Sequence, residues 1–151
     1  MKLDKDLREL LESFLSNGVE FLVVGGHAVA FHGYPRYTDD LDLFVRPDAA
    51  NGERIVRALV LFGFGSLDVK ASDFTADDRV IQLGRAPNRV DLLTRLYGVE
   101  FDEAWRTRLP GKLDGISVWI ISNEALIRNK RATGRTRDLA DAEMLERLRD
   151  R

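Results

Sequence analysis

Apolar and polar positions along this chain change period several times, and the changes mark out its elements. Leu3, Leu7, Leu10, Leu11 and Phe14 recur at helical spacing among charges of both signs, which predicts an amphipathic helix ending near Asn17-Gly18. Glu20-Phe21-Leu22-Val23-Val24 is then a short apolar strand running into Gly25-Gly26. A second helix is expected from about His27 to Phe31, closed by Gly33 and Pro35. Leu41, Leu43, Phe44 and Val45 belong to a strand that stops at Arg46-Pro47. Asp48 is placed to cap a third helix, whose apolar positions Ile55, Val56, Leu59, Val60 and Phe62 repeat up to Gly63.

The pattern weakens in the middle, where a strand around residues 67–69 and a polar turn are expected between Gly65 and Phe74. Two strands follow, at 80–84 and 90–93, joined by the turn residues Pro87-Asn88. Asp114-Gly115 reads as a hairpin turn before the strand Ile116-Ser117-Val118-Trp119-Ile120. Ser122 caps a helix that Gly134 breaks, and a last helix runs to the C-terminus through Leu139, Ala142, Leu145 and Leu148. There is no internal repeat and no linker long enough to divide two domains. The expected fold class is therefore α/β, a mixed sheet with flanking helices and a C-terminal helical segment, in a single domain over residues 1–151.

Composition narrows the chemistry. At 151 residues the chain can bury about two thirds of its unfolded surface, and its eight phenylalanines suit a packed core. A net charge of −2 gives no global pull toward nucleic acid, so such binding would need a local patch. The absence of cysteine rules out disulfides, thiolate metal sites and a cysteine nucleophile. No apolar run approaches the ~20 residues that span a bilayer, nor resembles a secretory signal, so a cytoplasmic protein without membrane contact is expected.

The chemistry-bearing residues are acids placed in apolar strands. Asp40 and Asp42 flank Leu41, and alternation sends both carboxylates off one strand face about 6–7 Å apart. Like charges that close repel unless a cation lies between them, and carboxylate oxygens are the ligands Mg²⁺ prefers. Asp91, between Val90 and Leu92, can complete the set, because burying it unpaired is too costly. The competing reading is a salt bridge to Arg89 or Arg95, and an Arg89 pair is expected to be awkward on a strand. Asp39 adds a third adjacent acid and is expected to point to the opposite, solvated face.

Gly25-Gly26 is either a turn whose bare backbone faces phosphate or a tight turn that only needs positive φ. His27 and His32 are five residues apart, out of phase on a helix, so they do not form a two-histidine metal face. Between Ala125 and Arg137 lie Arg128, Lys130, Arg131, Arg135 and Arg137 with no acid, while Asp138 and Asp141 follow. The run is either a solvated helix face or the cationic wall that a triphosphate needs, with Lys130 as the donor. Arg36, just before the acidic strand, is a second candidate.

These segments resemble the polymerase-β-like nucleotidyltransferase superfamily, nearest the branch of AbiEii-type toxins from bacterial toxin–antitoxin and phage-defence systems. The resemblance is carried by Phe21-Leu22-Val23-Val24-Gly25-Gly26-His27-Ala28, by His32-Gly33-Tyr34-Pro35-Arg36-Tyr37-Thr38-Asp39-Asp40-Leu41-Asp42 and by Val90-Asp91-Leu92-Leu93. Leu126-Ile127-Arg128-Asn129-Lys130 and Arg135-Thr136-Arg137-Asp138-Leu139-Ala140-Asp141 extend it. The likeness implies a minimal transferase that moves a nucleoside monophosphate from an NTP to an acceptor hydroxyl. It implies two Mg²⁺, or Mn²⁺, on Asp40, Asp42 and Asp91, with nucleotide bound by Gly25, Gly26, Thr38, Arg36 and Lys130. Many members carry serine after the first glycine, whereas Gly26 offers only its N–H, so Thr38 is the expected substitute. The acceptor stays open between RNA, a protein side chain and a small molecule, and an antitoxin protein is an expected partner. The alternatives are a non-catalytic nucleotide- or partner-binding module of the same fold and an antibiotic-modifying transferase.

Overall fold

The computed structural model describes residues 3–38, 40–62, 68–84 and 89–151, with the backbone only at Phe62. Helix α1 (Lys5–Ser16) starts where Asp4 accepts a hydrogen bond from the Asp6 N–H, and buries Leu7, Leu10, Leu11 and Phe14. Strand β1 (Phe21–Val24) is buried at every position and runs straight into α2 (Gly25–Phe31). The second helix therefore begins at Gly25, not at His27, and the glycine pair forms its first turn.

Strand β2 (Asp40–Val45) follows, then α3 (Ala49–Phe62), which Asp48 caps by accepting from the Asn51 N–H at 2.8 Å. Ile55 and Leu59 face the core, but Val60 is 56% exposed, a correction to the expected apolar face. Residues 68–70 are not a strand, and a 3-10 turn, Ala71–Phe74, buries Phe74 instead. Gly63, Gly65, Leu67, Pro87, Asn88 and Asp39, on which expectations also rested, lie outside the described residues.

Strands β3 (Val80–Leu83) and β4 (Arg89–Leu93) pair antiparallel. Helix α4 (Phe101–Arg106) and strand β5 (Leu109–Leu113) come next, and neither is foreshadowed in the periodicity. The turn at Asp114 and Gly115, both with positive φ, then leads into β6 (Ile116–Ile120). Ser122 accepts from the Ala125 N–H at the start of α5 (Asn123–Thr133), Gly134 closes it, and α6 (Thr136–Arg149) ends the chain.

The strands form one mixed sheet in the order β3-β4-β2-β1-β6-β5. β2 lies parallel to β4 and antiparallel to β1, which pairs parallel with β6. This is the expected α/β architecture, with helices flanking a mixed sheet and a C-terminal helical segment. Leu22, Val23, Leu41, Leu43, Leu92 and Ile120 form the centre of the core. Because the central strands are β4, β2 and β1, their register decides which polar side chains meet.

Candidate active site

That register sets Asp42 beside Asp91 and Asp40 beside Arg89 across β2 and β4. On the other side of β2, Asp42 lies opposite Val24, the last residue of β1. Alternation turns Leu41 and Leu43 into the core, so Asp40 and Asp42 emerge together on the other face. One oxygen from each of Asp40, Asp42 and Asp91 lies within 4.8 Å of the others. Three carboxylates at that separation are a donor set suited to a hard divalent cation. Asp91 Oδ1 is buried and accepts no aligned hydrogen bond, although Arg89 Nε lies within ion-pair distance of it.

The electrostatics reflect this crowding. Burial first, then repulsion from Asp91 and Asp40, pushes the Asp42 carboxyl up to about 6, against the opposing pull of Lys130 and Arg89. Burial also raises Asp91, with Arg89 countering it. Arg89 Nη2 lies 2.6 Å from Asp40 Oδ2, and Arg89 Nε lies 3.1 Å from Asp91 Oδ1. The expectation that an Arg89 pair is awkward is therefore wrong. Arg89 stands two residues before Asp91, so alternation puts both on the same strand face.

The glycine pair is required by close approach. Gly25 has φ +67, and a Cβ there would run into the Asp42 carboxyl, 3.0 Å from its Cγ. At Gly26 a Cβ would come within 2.8 Å of Thr38 Cβ and Oγ1. Thr38 thus fills the space a side chain at 26 would need, while its hydroxyl donates to the Asp40 carbonyl at 3.1 Å.

Gly25, Gly26, Arg36, Thr38, Asp40, Asp42 and Lys130 all line one cleft of about 240 Å³, together with Arg135, Arg137 and Asp138. Asp91 joins them through the carboxylate cluster rather than through the cleft wall. A larger hollow, about 460 Å³, lies near Phe44, Pro47 and Thr94 at the far end of β2 and β4, away from all these residues.

Two of the expected phosphate donors have partners of their own. Lys130 is buried, with its Nζ 2.9 Å from Asp138 and 3.2 Å from Asp141. Arg36 reaches Asp141 at 2.8 Å, and Arg135 reaches Asp138 at 3.0 Å. Burial acts to raise the Asp138 carboxyl, but hydrogen bonds from Thr133 and Lys130 prevail and hold it below the usual range. Among the described residues Arg137 is the cleft-lining cation with no ion pair. His27 is buried on α2 with its ring against the Asp40 backbone, and His32 bonds the Ile121 carbonyl, so the two share no metal face, as their spacing implies. Sequence reasoning missed Arg89, whose signal was its two-residue offset from Asp91, and left Arg137 unassigned within the basic run.

A family model described as "Nucleotidyl transferase of unknown function (DUF2204)" matches residues 3–151. Among solved structures, an antigenic nucleotidyltransferase-like protein from Paracoccidioides brasiliensis aligns with TM-score 0.52 and 17% identity. The alignment covers 97% of this chain and 77% of that one, a likeness of fold. No curated protein matches the chain.

Proposed function

The chain belongs to this family of nucleotidyl transferases of unknown function, and on that premise we propose that it moves a nucleoside monophosphate from an NTP to an acceptor hydroxyl. The observation that carries the proposal is the register that sets Asp42 beside Asp91, with Asp40 in the same cluster, at a cleft walled by Arg36, Lys130, Arg135 and Arg137. We take residues 1–151 as one transferase unit, since the site draws on β2 and β4, on α2 and the segment after it, and on α5 and α6.

Asp40, Asp42 and Asp91 would hold two Mg²⁺, with Mn²⁺ as a substitute, and when bound these ions acidify the acceptor hydroxyl and neutralise the leaving oxygens. The Asp91 carboxylate orients the acceptor hydroxyl and takes its proton as the new bond to the α-phosphorus forms and the bond to pyrophosphate breaks. Gly25 and Gly26 leave the backbone bare beside the acids, so phosphate oxygens can approach it. The Thr38 hydroxyl fills the place of the serine that many polymerase-β-like enzymes carry after the first glycine. Arg137 binds the triphosphate tail, while Lys130 and Arg36, fixed by Asp138 and Asp141, supply a stationary positive wall.

The motif order supports a place near the AbiEii-type toxins, hence a toxin-like enzyme acting in the cytoplasm beside an antitoxin protein. RNA, a protein side chain and a small molecule, as in antibiotic-modifying transferases, are the acceptor classes. Among the described residues no helix is long and apolar enough to cross a membrane. A second reading, a nucleotide-binding module without chemistry, is favoured by the Arg89 guanidinium on two of the three acids.

Incubation with α-labelled and γ-labelled NTPs, Mg²⁺ and separate pools of total RNA, lysate protein and small molecules separates these readings. Transfer of the α-label alone, lost in Asp40→Ala, is the expected result and identifies the acceptor class. Binding of Mg²⁺–NTP without transfer to any pool points to the module, and transfer of the γ-label overturns nucleotidyl transfer.

A further inference from the structure

Among the described residues, Arg89 is the cation in direct contact with the carboxylate cluster. It is opposite Asp40 in the β2–β4 register and on the same face as Asp91. Its Nη2 lies 2.6 Å from Asp40 Oδ2 and 3.3 Å from Asp91 Oδ2, while Nε lies 3.1 Å from Asp91 Oδ1. One guanidinium therefore spans two of the three carboxylates. Among the described residues no hydrogen bond or ion pair reaches the Asp42 carboxylate.

The contrast with Lys130 defines what kind of contact this is. Lys130 is buried and shared between Asp138 and Asp141, which hold Arg135 and Arg36 in turn, so that network ties α5 and α6 together. The Arg89 side chain is 30% exposed, and its Nε and Asp91 Oδ1, though close, are not aligned as a hydrogen bond. Nη2 does hydrogen-bond both acids, but a partly exposed ion pair within reach of water is weakly held. The oxygens it occupies are the ones a divalent ion needs, and a guanidinium left beside that ion repels it.

We infer that Arg89 is a displaceable counter-ion: it gathers Asp40 and Asp91 in the metal-free protein and gives up their oxygens when a divalent cation binds. Arg89 and the metal compete for the same ligands, so the chain sets its own threshold for metal loading. The inference rests on the metal-site reading of Asp40, Asp42 and Asp91.

The test is calorimetric titration of Mn²⁺, without nucleotide, into wild type, Arg89→Gln, Arg89→Lys and Asp42→Asn, with melting curves in chelator and in Mn²⁺. Arg89→Gln is expected to bind Mn²⁺ about tenfold more tightly than wild type, to melt lower in chelator and to show a larger Mn²⁺-induced rise. Arg89→Lys, whose single ammonium cannot fork both acids, falls between them and carries the test should the glutamine variant fail to fold. Unchanged or weaker Mn²⁺ binding by folded Arg89 variants, with wild-type binding abolished in Asp42→Asn, overturns the inference and leaves the metal site standing. No Mn²⁺ binding by any of the four proteins removes the metal site and the inference together. A wild type that does not respond beside an Arg89→Gln that binds supports the inference.

Discussion

Replacing Asp42 by asparagine should stabilise the metal-free protein, and the gain should depend on pH in a defined direction. The folded Asp42 carboxyl titrates at about 6, against an ordinary 3.8, because burial and two neighbouring acids penalise its charge. At 1.36 kcal/mol per unit, a difference of about 2 units corresponds to about 3 kcal/mol of destabilisation when Asp42 is ionised. The folded state holds this proton more tightly than the unfolded chain does. The group's contribution to stability is therefore best below pH 4, falls as pH rises from 4 to 6, and stays low above that. Asparagine cannot ionise, so the advantage of Asp42→Asn should approach ~3 kcal/mol at pH 8 and vanish near pH 4. Urea unfolding of both proteins in chelator, at pH 4.5, 6 and 8, measures the difference and cancels the titration of acids outside the cluster. In saturating Mg²⁺ the ordering should narrow or reverse, because only the wild type gains binding energy. A variant less stable than wild type at pH 8 in chelator, or a difference that ignores pH, would refute the reasoning.

Three further substitutions test separate parts of the site. Gly25→Ala forces a side chain into positive φ and into the Asp42 carboxyl, so it should cost roughly 1–2 kcal/mol for the backbone alone and abolish the Mn²⁺-induced rise in melting temperature. Lys130→Met leaves Asp138 and Asp141 buried without their shared cation and should cost about 3–5 kcal/mol by chemical denaturation, with or without nucleotide. Arg137→Ala should change stability by less than about 0.5 kcal/mol while weakening Mg²⁺–NTP binding about tenfold, read by calorimetry; unchanged affinity would remove Arg137 from the phosphate site.

What the chain disclosed in advance follows from how regular its periods are. The acidic strand was legible because Asp40 and Asp42 interrupt apolar residues at strict alternation, and β4 carries Asp91 in the same way. The cross-strand register that brings Asp42 to Asp91 is a tertiary fact, and no local pattern encodes it. Helix α4 is too short to display a helical period, and β5 carries Pro110 and Gly111, which argue against a strand unless it lies at a sheet edge, as it does. Val60 follows Leu59 by one position, about 100° round the helix, so a tally of apolar positions accepts a residue that the fold leaves in water.

The last helix shows the limit most clearly. Its buried stripe is Asp138, Asp141, Ala142 and Leu145, spaced as an apolar face would be, while Leu139 is 45% exposed. Two acids replace the expected apolar residues because Lys130 and Arg36 meet them there. The sequence shows the charges of both groups, but only the packing of α6 on α5 shows that they cancel each other. Hence Lys130, an expected phosphate donor, lines the cleft already paired with Asp138 and Asp141.

The most direct test is a crystal structure with Mn²⁺ and an NTP whose α,β-bridging oxygen is replaced by a nitrogen that resists cleavage. The account predicts anomalous density for Mn²⁺ bound by Asp40, Asp42 and Asp91, Arg89 moved off their oxygens, and the triphosphate lying along Gly25 and Gly26 toward Arg137. Nucleotide bound elsewhere, or an acid cluster still closed on Arg89 with no Mn²⁺ at saturating concentration, would contradict it.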